Sequence, residues 1–140
     1  MARISKVVVA GLGEVGEPVA RFLTEAGFDV VGCTLEPDGH SDLDVRLCDV
    51  SDPEALSELL ADADAVVSCL PFHRNLPVAE AAAATGCHYF DLTEDVEVSR
   101  RVGDLADHAE VLFAPQCGLA PGFIAIAGAA VAARFDRLRS

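Results

Sequence analysis

Val7-Val8-Val9-Ala10-Gly11-Leu12-Gly13-Glu14-Val15-Gly16 decides the fold. Four consecutive small or β-branched apolar residues read as a strand buried on both faces. The chain then turns through G-x-G-x-x-G and enters an amphipathic segment. As a bare pattern the three glycines carry little weight, but strand before and helix after is the context that a phosphate-binding turn requires. Each glycine has a separate task. Gly11 permits the tight turn, Gly13 lets the backbone approach a pyrophosphate, and Gly16 lets the helix sit close on the sheet. The free N–H groups at the helix N-terminus, with Glu14 and Val15 beside them, then face the phosphates. A plainer reading makes the turn a mere strand-to-helix joint. Beyond it, Val15, Val19, Phe22 and Ala26 recur at helical spacing and are expected to face the sheet. Gly27 is expected to close the helix, and Pro18 to lie in its first turn, so that the helix begins near Glu14 or Val15.

Working outward, strand patterns recur at residues 6–10, 29–34, 45–48, 65–70, 89–92 and 111–114, with helical patterns at 15–26, 53–61, 76–85, 95–108 and from 121 to about 137. Asp52-Pro53-Glu54 is a helix start with a capping acid and proline at the first position, and Gly86 is a helix stop. Strands alternating with helices predict an α/β Rossmann fold: one doubly wound parallel sheet of six strands in the order 3-2-1-4-5-6, in a single domain over residues 1–140. Residues 36–42 form the one polar, turn-rich stretch and are expected to lie over the adenosine end of a dinucleotide.

Composition narrows the partners. The chain has 23 acidic residues against 10 basic ones, a formal charge of −13, and Lys6 is its single lysine. Such a surface is a poor match for nucleic acid or anionic membranes. The acidic excess also suits salt-rich surroundings, in which case the melting temperature should rise between low and molar salt. Four of the five cysteines, Cys33, Cys48, Cys69, Cys87 and Cys117, lie in or beside apolar runs and read as buried thiols of a reducing compartment. No C-x-x-C pair occurs and the histidines are scattered, so no metal site is expected. Residues 1–6 lead directly into the first strand, which predicts no leader and a cytoplasmic protein. The uncharged run from Cys117 to Ala133 approaches membrane-spanning length, but Pro121 and its glycines and alanines favour a buried helix.

The second strand ends at Thr34, where an acid would bind the ribose of NAD and a cation the extra phosphate of NADP. Glu36 follows two residues later and no Arg or Lys lies between Arg21 and Arg46. NAD and NADP both stay open. Asp49, after the third strand, lies near the adenine or simply caps a turn.

Ligands of open α/β sheets lie beyond the carboxyl ends of the strands. Strands four to six end in Ser68-Cys69-Leu70-Pro71-Phe72-His73, His88-Tyr89-Phe90-Asp91-Leu92-Thr93-Glu94-Asp95 and Ala114-Pro115-Gln116-Cys117-Gly118-Leu119-Ala120-Pro121-Gly122. With these segments the chain resembles, over nearly its whole length, the NAD(P)-binding domain of the saccharopine dehydrogenase-like family, which includes saccharopine reductases and lysine dehydrogenases. The resemblance implies reversible hydride transfer between a nicotinamide and a carbon–nitrogen centre of an amino-acid-derived substrate. It implies that Gly11, Gly13 and Gly16 hold the pyrophosphate and that Cys69, Leu70 and Pro71 pack beside the nicotinamide ribose. It further implies that Asp91 and the Gln116-Cys117-Gly118 turn border the reacting region. Asp91 and His73 are the nearby candidates for proton transfer, against plainer roles as a helix cap and an exposed loop residue. Cys117 reads as a small buried packing residue.

Members of the family continue into a substrate-binding, dimerising domain, so the chain is expected to be a cofactor-binding fragment, inactive alone, whose last helix meets that domain or a second copy. The competing reading is a regulatory dinucleotide sensor of a potassium-transport system, which has the same glycine turn. The strand ends at residues 88–91 and 117–122 favour the dehydrogenase.

Overall fold

The computed structural model describes residues 4–36, 39–40 and 42–135. In chain order it comprises β1 (Lys6–Ala10), α1 (Gly16–Glu25), β2 (Asp29–Thr34), β3 (Asp44–Leu47), α2 (Pro53–Leu60), β4 (Ala65–Ser68), a single 3₁₀ turn at Phe72–Arg74, α3 (Asn75–Thr85), β5 (His88–Asp91), α4 (Val96–Ala106), β6 (Phe113–Ala114) and α5 (Phe123–Ala132). The six strands are parallel and ordered β3-β2-β1-β4-β5-β6, as expected of a doubly wound sheet. Val8 stands at the middle of the sheet, in register with Val31 and Val66.

Strand alternation sorts the core into two layers. Val8, Ala10, Val31, Cys33 and Val66 join Leu56, Leu60, Val78 and Val102 from α2, α3 and α4. Val9 and Val30 point the other way, onto Leu12 and Ala20, with Val19 and Leu23 at the margin. Order reversal at β1 and β4 leaves a crevice above the carboxyl ends of these two central strands, where a ligand would sit.

Several local expectations hold. Asp52 accepts from the amides of Glu54 (3.0 Å) and Ala55 (3.3 Å) and so caps α2. Asp52→Ala is expected to cost about 1 kcal/mol, read as a lower urea midpoint. Gly27 and Gly86 take left-handed conformations just past α1 and at the end of α3, where a Cβ would be strained.

Others need correction. Helix α1 begins at Gly16, so Pro18 is still within its first turn, but its buried face is not the predicted one. Gly16 and Ala20 are buried, whereas Val15, Phe22 and Ala26 are exposed, Phe22 by 68%. Close contact at Gly16 fixes the helix's rotation, and the residues in line with it, Ala20 and Leu23, become the inner face. Strand β4 stops at Ser68 rather than residue 70, because after the Cys69 amide bonds Ala10 the chain turns at Pro71 into the 3₁₀ turn. Strand β5 begins one residue early at His88, whose Nδ1 accepts the Leu112 amide at 2.9 Å. Strand β6 is only two residues long, ending just before Pro115, which has no N–H for the ladder. The last helix begins at Phe123 and was expected to be buried, yet none of its residues is. Its predicted end near residue 137 lies outside the described residues. No described helix is long and apolar enough to cross a membrane.

Candidate dinucleotide site

The glycine turn is built by exclusion of side chains. A Cβ at Gly16 would fall on the Gly11 carbonyl, so α1 approaches the turn as closely as backbone allows. Gly11 has φ +89°, and a Cβ there would lie 2.7 Å from Leu70 Cδ2. A Cβ at Gly13 would meet nothing within 4 Å, so that face of its backbone is open to a ligand. The Gly11 amide bonds Cys33 O at 2.8 Å, and the next bonded amide along the turn is that of Glu17, on Gly13 O at 3.1 Å. Among the described residues the amides of 12–15 have no protein acceptor, and no side chain caps α1. Helices α2 and α4 are capped by Asp52 and Asp95, whereas α3 and α5, like α1, have no side-chain cap. An uncapped helix start behind open glycine backbone suits an anion, so the residues present fit a pyrophosphate.

Two clefts flank the turn. The smaller, about 370 Å³, lies between Gly11–Gly13, the β2 end at Thr34–Glu36, and Leu70 and Pro71, with Val50, His40 and Arg74 at its border. The larger, about 870 Å³, lies between Val15, Cys69, Leu70 and Phe72 on one side and Leu92–Glu97 on the other. Leu70 belongs to both and is the wall between them. Glu14 is exposed on the turn.

At the β2 end, Thr34 Oγ1 accepts the Glu36 amide at 3.2 Å and bends the chain, leaving Glu36 exposed at the cleft. Pro37, Asp38 and Ser41 of the predicted adenosine-end loop lie outside the described residues, whereas His40 and Asp42 are tied back to α1. His40 Nδ1 lies 3.0 Å from Glu17 Oε2 without hydrogen-bond alignment, and Arg21 joins Glu17 (2.7 Å) to Asp42. The Arg21 guanidinium holds the Glu17 and Asp42 carboxyls below the usual range. Asp49 takes the turn role: its Oδ1 accepts from the Ser51 amide (2.9 Å) and hydroxyl (2.8 Å), which lower its pKa. It flanks the cleft through Arg74, whose Nη1 lies 3.7 Å away.

Asp91 and His73 are not brought together. Asp91 is fully buried and accepts from Tyr89 Oη (2.8 Å) and from the amides of Thr93 and Gln116 (both 3.0 Å). Burial, and then the adjoining Asp91, push the Tyr89 phenol far up, so Tyr89 stays a neutral donor. Asp91 lines neither cleft, and the cap of the following helix is Asp95, which accepts the Val98 amide at 2.8 Å. His73 is exposed in the 3₁₀ turn, edge-on to Phe72 with ring centres 5.6 Å apart. The sequence reading missed Glu94, which lines the larger cleft and forms no hydrogen bond among the described residues, whereas Asp95 caps α4 and Glu97 pairs with Arg100 at 2.8 Å. Its signal was its place, in the acidic stretch directly after a strand end.

Gln116 has a left-handed backbone, φ +64°, held by Asp91; the Cys117 amide bonds Asp91 O at 2.8 Å, and a parallel bridge joins Gly118 to Gly122. Cys117 is exposed rather than a buried packing residue, because its turn projects from the two-residue edge strand. Cys33, Cys48 and Cys87 are buried and Cys69 partly so. Burial pushes the Cys33 and Cys87 thiols up to about 12 and that of Cys69 to about 11. Burial raises Cys117 as well. A disulfide reagent on the native protein is expected to titrate one thiol quickly, with Cys117→Ser abolishing that phase; urea should release the rest. No group of His, Cys, Asp and Glu that could hold a metal occurs among the described residues.

Residues 7–113 match the saccharopine dehydrogenase NADP binding domain family, which covers the sheet, the turn and both clefts. The chain belongs to that family. It is an NAD(P)-binding domain of oxidoreductase type. Among solved structures it is similar to apo saccharopine dehydrogenase (L-Glu forming) from Saccharomyces cerevisiae, at 23% identity and TM-score 0.78 over 93% of this chain and 31% of that one. It is also similar to apo scyllo-inositol dehydrogenase from Lactobacillus casei, at 17% identity and TM-score 0.63 over 81% of this chain and 36% of that one. A variant uronate dehydrogenase from Agrobacterium tumefaciens, complexed with NAD, matches at 18% identity and TM-score 0.54 over 65% of this chain and 41% of its own. At these identities the likeness is one of fold. The saccharopine dehydrogenase NADP-binding domain here spans about a third of the length of the yeast enzyme it matches.

Proposed function

We propose that the chain supplies the cofactor half of a hydride-transfer reaction at a carbon–nitrogen centre of an amino-acid-derived substrate. The observation that carries this is the placing of two clefts on either side of one uncapped glycine turn, with Leu70 as their shared wall. The backbone of residues 11–16 would hold the pyrophosphate, Thr34–Glu36 with Leu70 the adenosine, and Cys69, Leu70, Leu92 and Thr93 the nicotinamide end; Pro71, expected beside the nicotinamide ribose, lines the smaller cleft and is reassigned to the adenosine. When bound, the nicotinamide supplies the hydride chemistry, and what the chain contributes is orientation and exclusion of water.

Asp91 acts in this reading as a positioning residue, since it pins the turns at Thr93 and Gln116 from below and does not reach the cleft. His73 has no part in it. The carboxylate of Glu94, free at the rim of the larger cleft, would meet the amino group of a substrate.

The test is an isotope-edited NMR titration with NADH and with NADPH. The amides of residues 11–16 and 34–36 are expected to shift first, followed by those of 69–72 and 92–94. Shifts confined to other parts of the surface would overturn the assignment of the site.

A further inference from the structure

We infer that this chain takes NAD(H) in preference to NADP(H), with Glu36 as the deciding side chain, which departs from the NADP in its family's description. The inference rests on the reading of the smaller cleft as the adenosine end. NADP differs from NAD by a phosphate monoester on the adenosine ribose, and proteins that take it present a guanidinium or ammonium free to pair with that dianion.

The basic side chains that line the cleft, His40 and Arg74, already face carboxylates, as does Arg21 on the same Glu17 as His40; Arg46, on β3 in register with Cys33, is exposed and in no ion pair among the described residues but does not line the cleft. Arg21 bonds Glu17 and Asp42; His40 lies 3.0 Å from Glu17; Arg74 lies 3.7 Å from Asp49, itself anchored by Ser51. Glu36 adds a further carboxylate, exposed at the cleft and in no ion pair among the described residues. Four carboxylates, Glu17, Glu36, Asp42 and Asp49, therefore stand against three permanent cations, Arg21, Arg46 and Arg74, and one histidine, and of the arginines only Arg74 lines the cleft. The extra phosphate of NADP would have to take Arg74 from Asp49, or draw in a cation from outside the cleft, and would meet Glu36 as a like charge. A ribose diol has the opposite match, because its two hydroxyls donate and a carboxylate only accepts. The Thr34 hydroxyl, which accepts the Glu36 amide, sets the bend that carries this carboxylate to the cleft.

The experiment is calorimetric titration of the folded protein with NADH and NADPH at one ionic strength. NADH is expected to bind at least about tenfold more tightly, a difference of about 1.4 kcal/mol. Glu36→Gln should narrow that ratio and Glu36→Arg reverse it, with circular dichroism verifying that both variants fold. Equal or tighter NADPH binding by the unsubstituted protein overturns the inference while leaving the site reading intact. An unchanged ratio in both variants overturns the part given to Glu36. Failure of the folded protein to bind either nucleotide overturns the site reading, and the inference with it.

Discussion

Gly16→Ala is expected to destabilise the fold by about 3 kcal/mol, the upper end of ordinary overpacking costs, and to abolish dinucleotide binding. The added Cβ would fall on the Gly11 carbonyl, and the nearest atoms are backbone, which cannot swing aside as a side-chain tip could. Either α1 lifts off the sheet, uncovering Val9, Ala20 and Val30, or the turn itself deforms. Urea denaturation measures the first effect and calorimetry the second. Gly13→Ala is the informative companion, because its Cβ would meet nothing within 4 Å. Its stability should stay within about 0.5 kcal/mol of the parent, as at an unobstructed surface site, while binding weakens because the backbone's open face is now covered. A Gly13→Ala protein that binds as tightly as the parent would show that the pyrophosphate does not lie on this turn. A Gly16→Ala protein of unchanged stability would show that the close approach of α1 does not matter.

Asp91→Ala is expected to cost about 3 kcal/mol, since an orphaned buried donor costs about 1–3 kcal/mol and Asp91 satisfies three donors of unequal burial. They are the buried Thr93 amide, the part-buried Gln116 amide, and the Tyr89 hydroxyl, which keeps Asn75 O at 3.4 Å. Asp91→Asn keeps the volume but turns an NH₂ group toward donors, so it should recover only part of the loss. The reading that separates a positioning role from a direct catalytic one is hydrogen exchange. With Asp91 removed, the Gln116 amide should lose protection well beyond what the global destabilisation explains, because its left-handed backbone is held from Asp91. A loss below about 1 kcal/mol, with Gln116 protection unchanged, would remove Asp91 from this role.

The legibility of this chain follows from the range of the interactions involved. The turn, the capped start at Asp52, and the stops at Gly27 and Gly86 depend on neighbours a few residues away, and the sequence reading of each matches the structure. The face of α1 was misread because 3.6-residue periodicity defines a stripe but not its rotation, which contact between Gly16 and Gly11 sets. Residues Val15 and Phe22 belong to a real helical pattern that the sheet does not use. For the last helix the uncharged run pointed to burial and its surplus of apolar residues to a face left for a further domain or a second copy; none of its residues is buried, and Phe123, Ile124, Ile126 and Val131 are exposed. A helix apolar on all sides says that something can cover it, and its packing must then be read from contacts.

From residues in sequence order came the alternation of strand and helix, the strand order, the phosphate-binding turn and the resemblance that the family match bears out. These depend on patterns repeated within short windows, where backbone geometry leaves few alternatives. Only the tertiary structure decided that Asp91 is enclosed by Tyr89, Thr93 and Gln116, that Leu70 divides two clefts, and that Arg21 and Arg74 already face carboxylates at the end of β2. Burial and pairing depend on which distant segments meet. Asp91 and Gln116 are 25 residues apart along the chain, and nothing local to either announces the other.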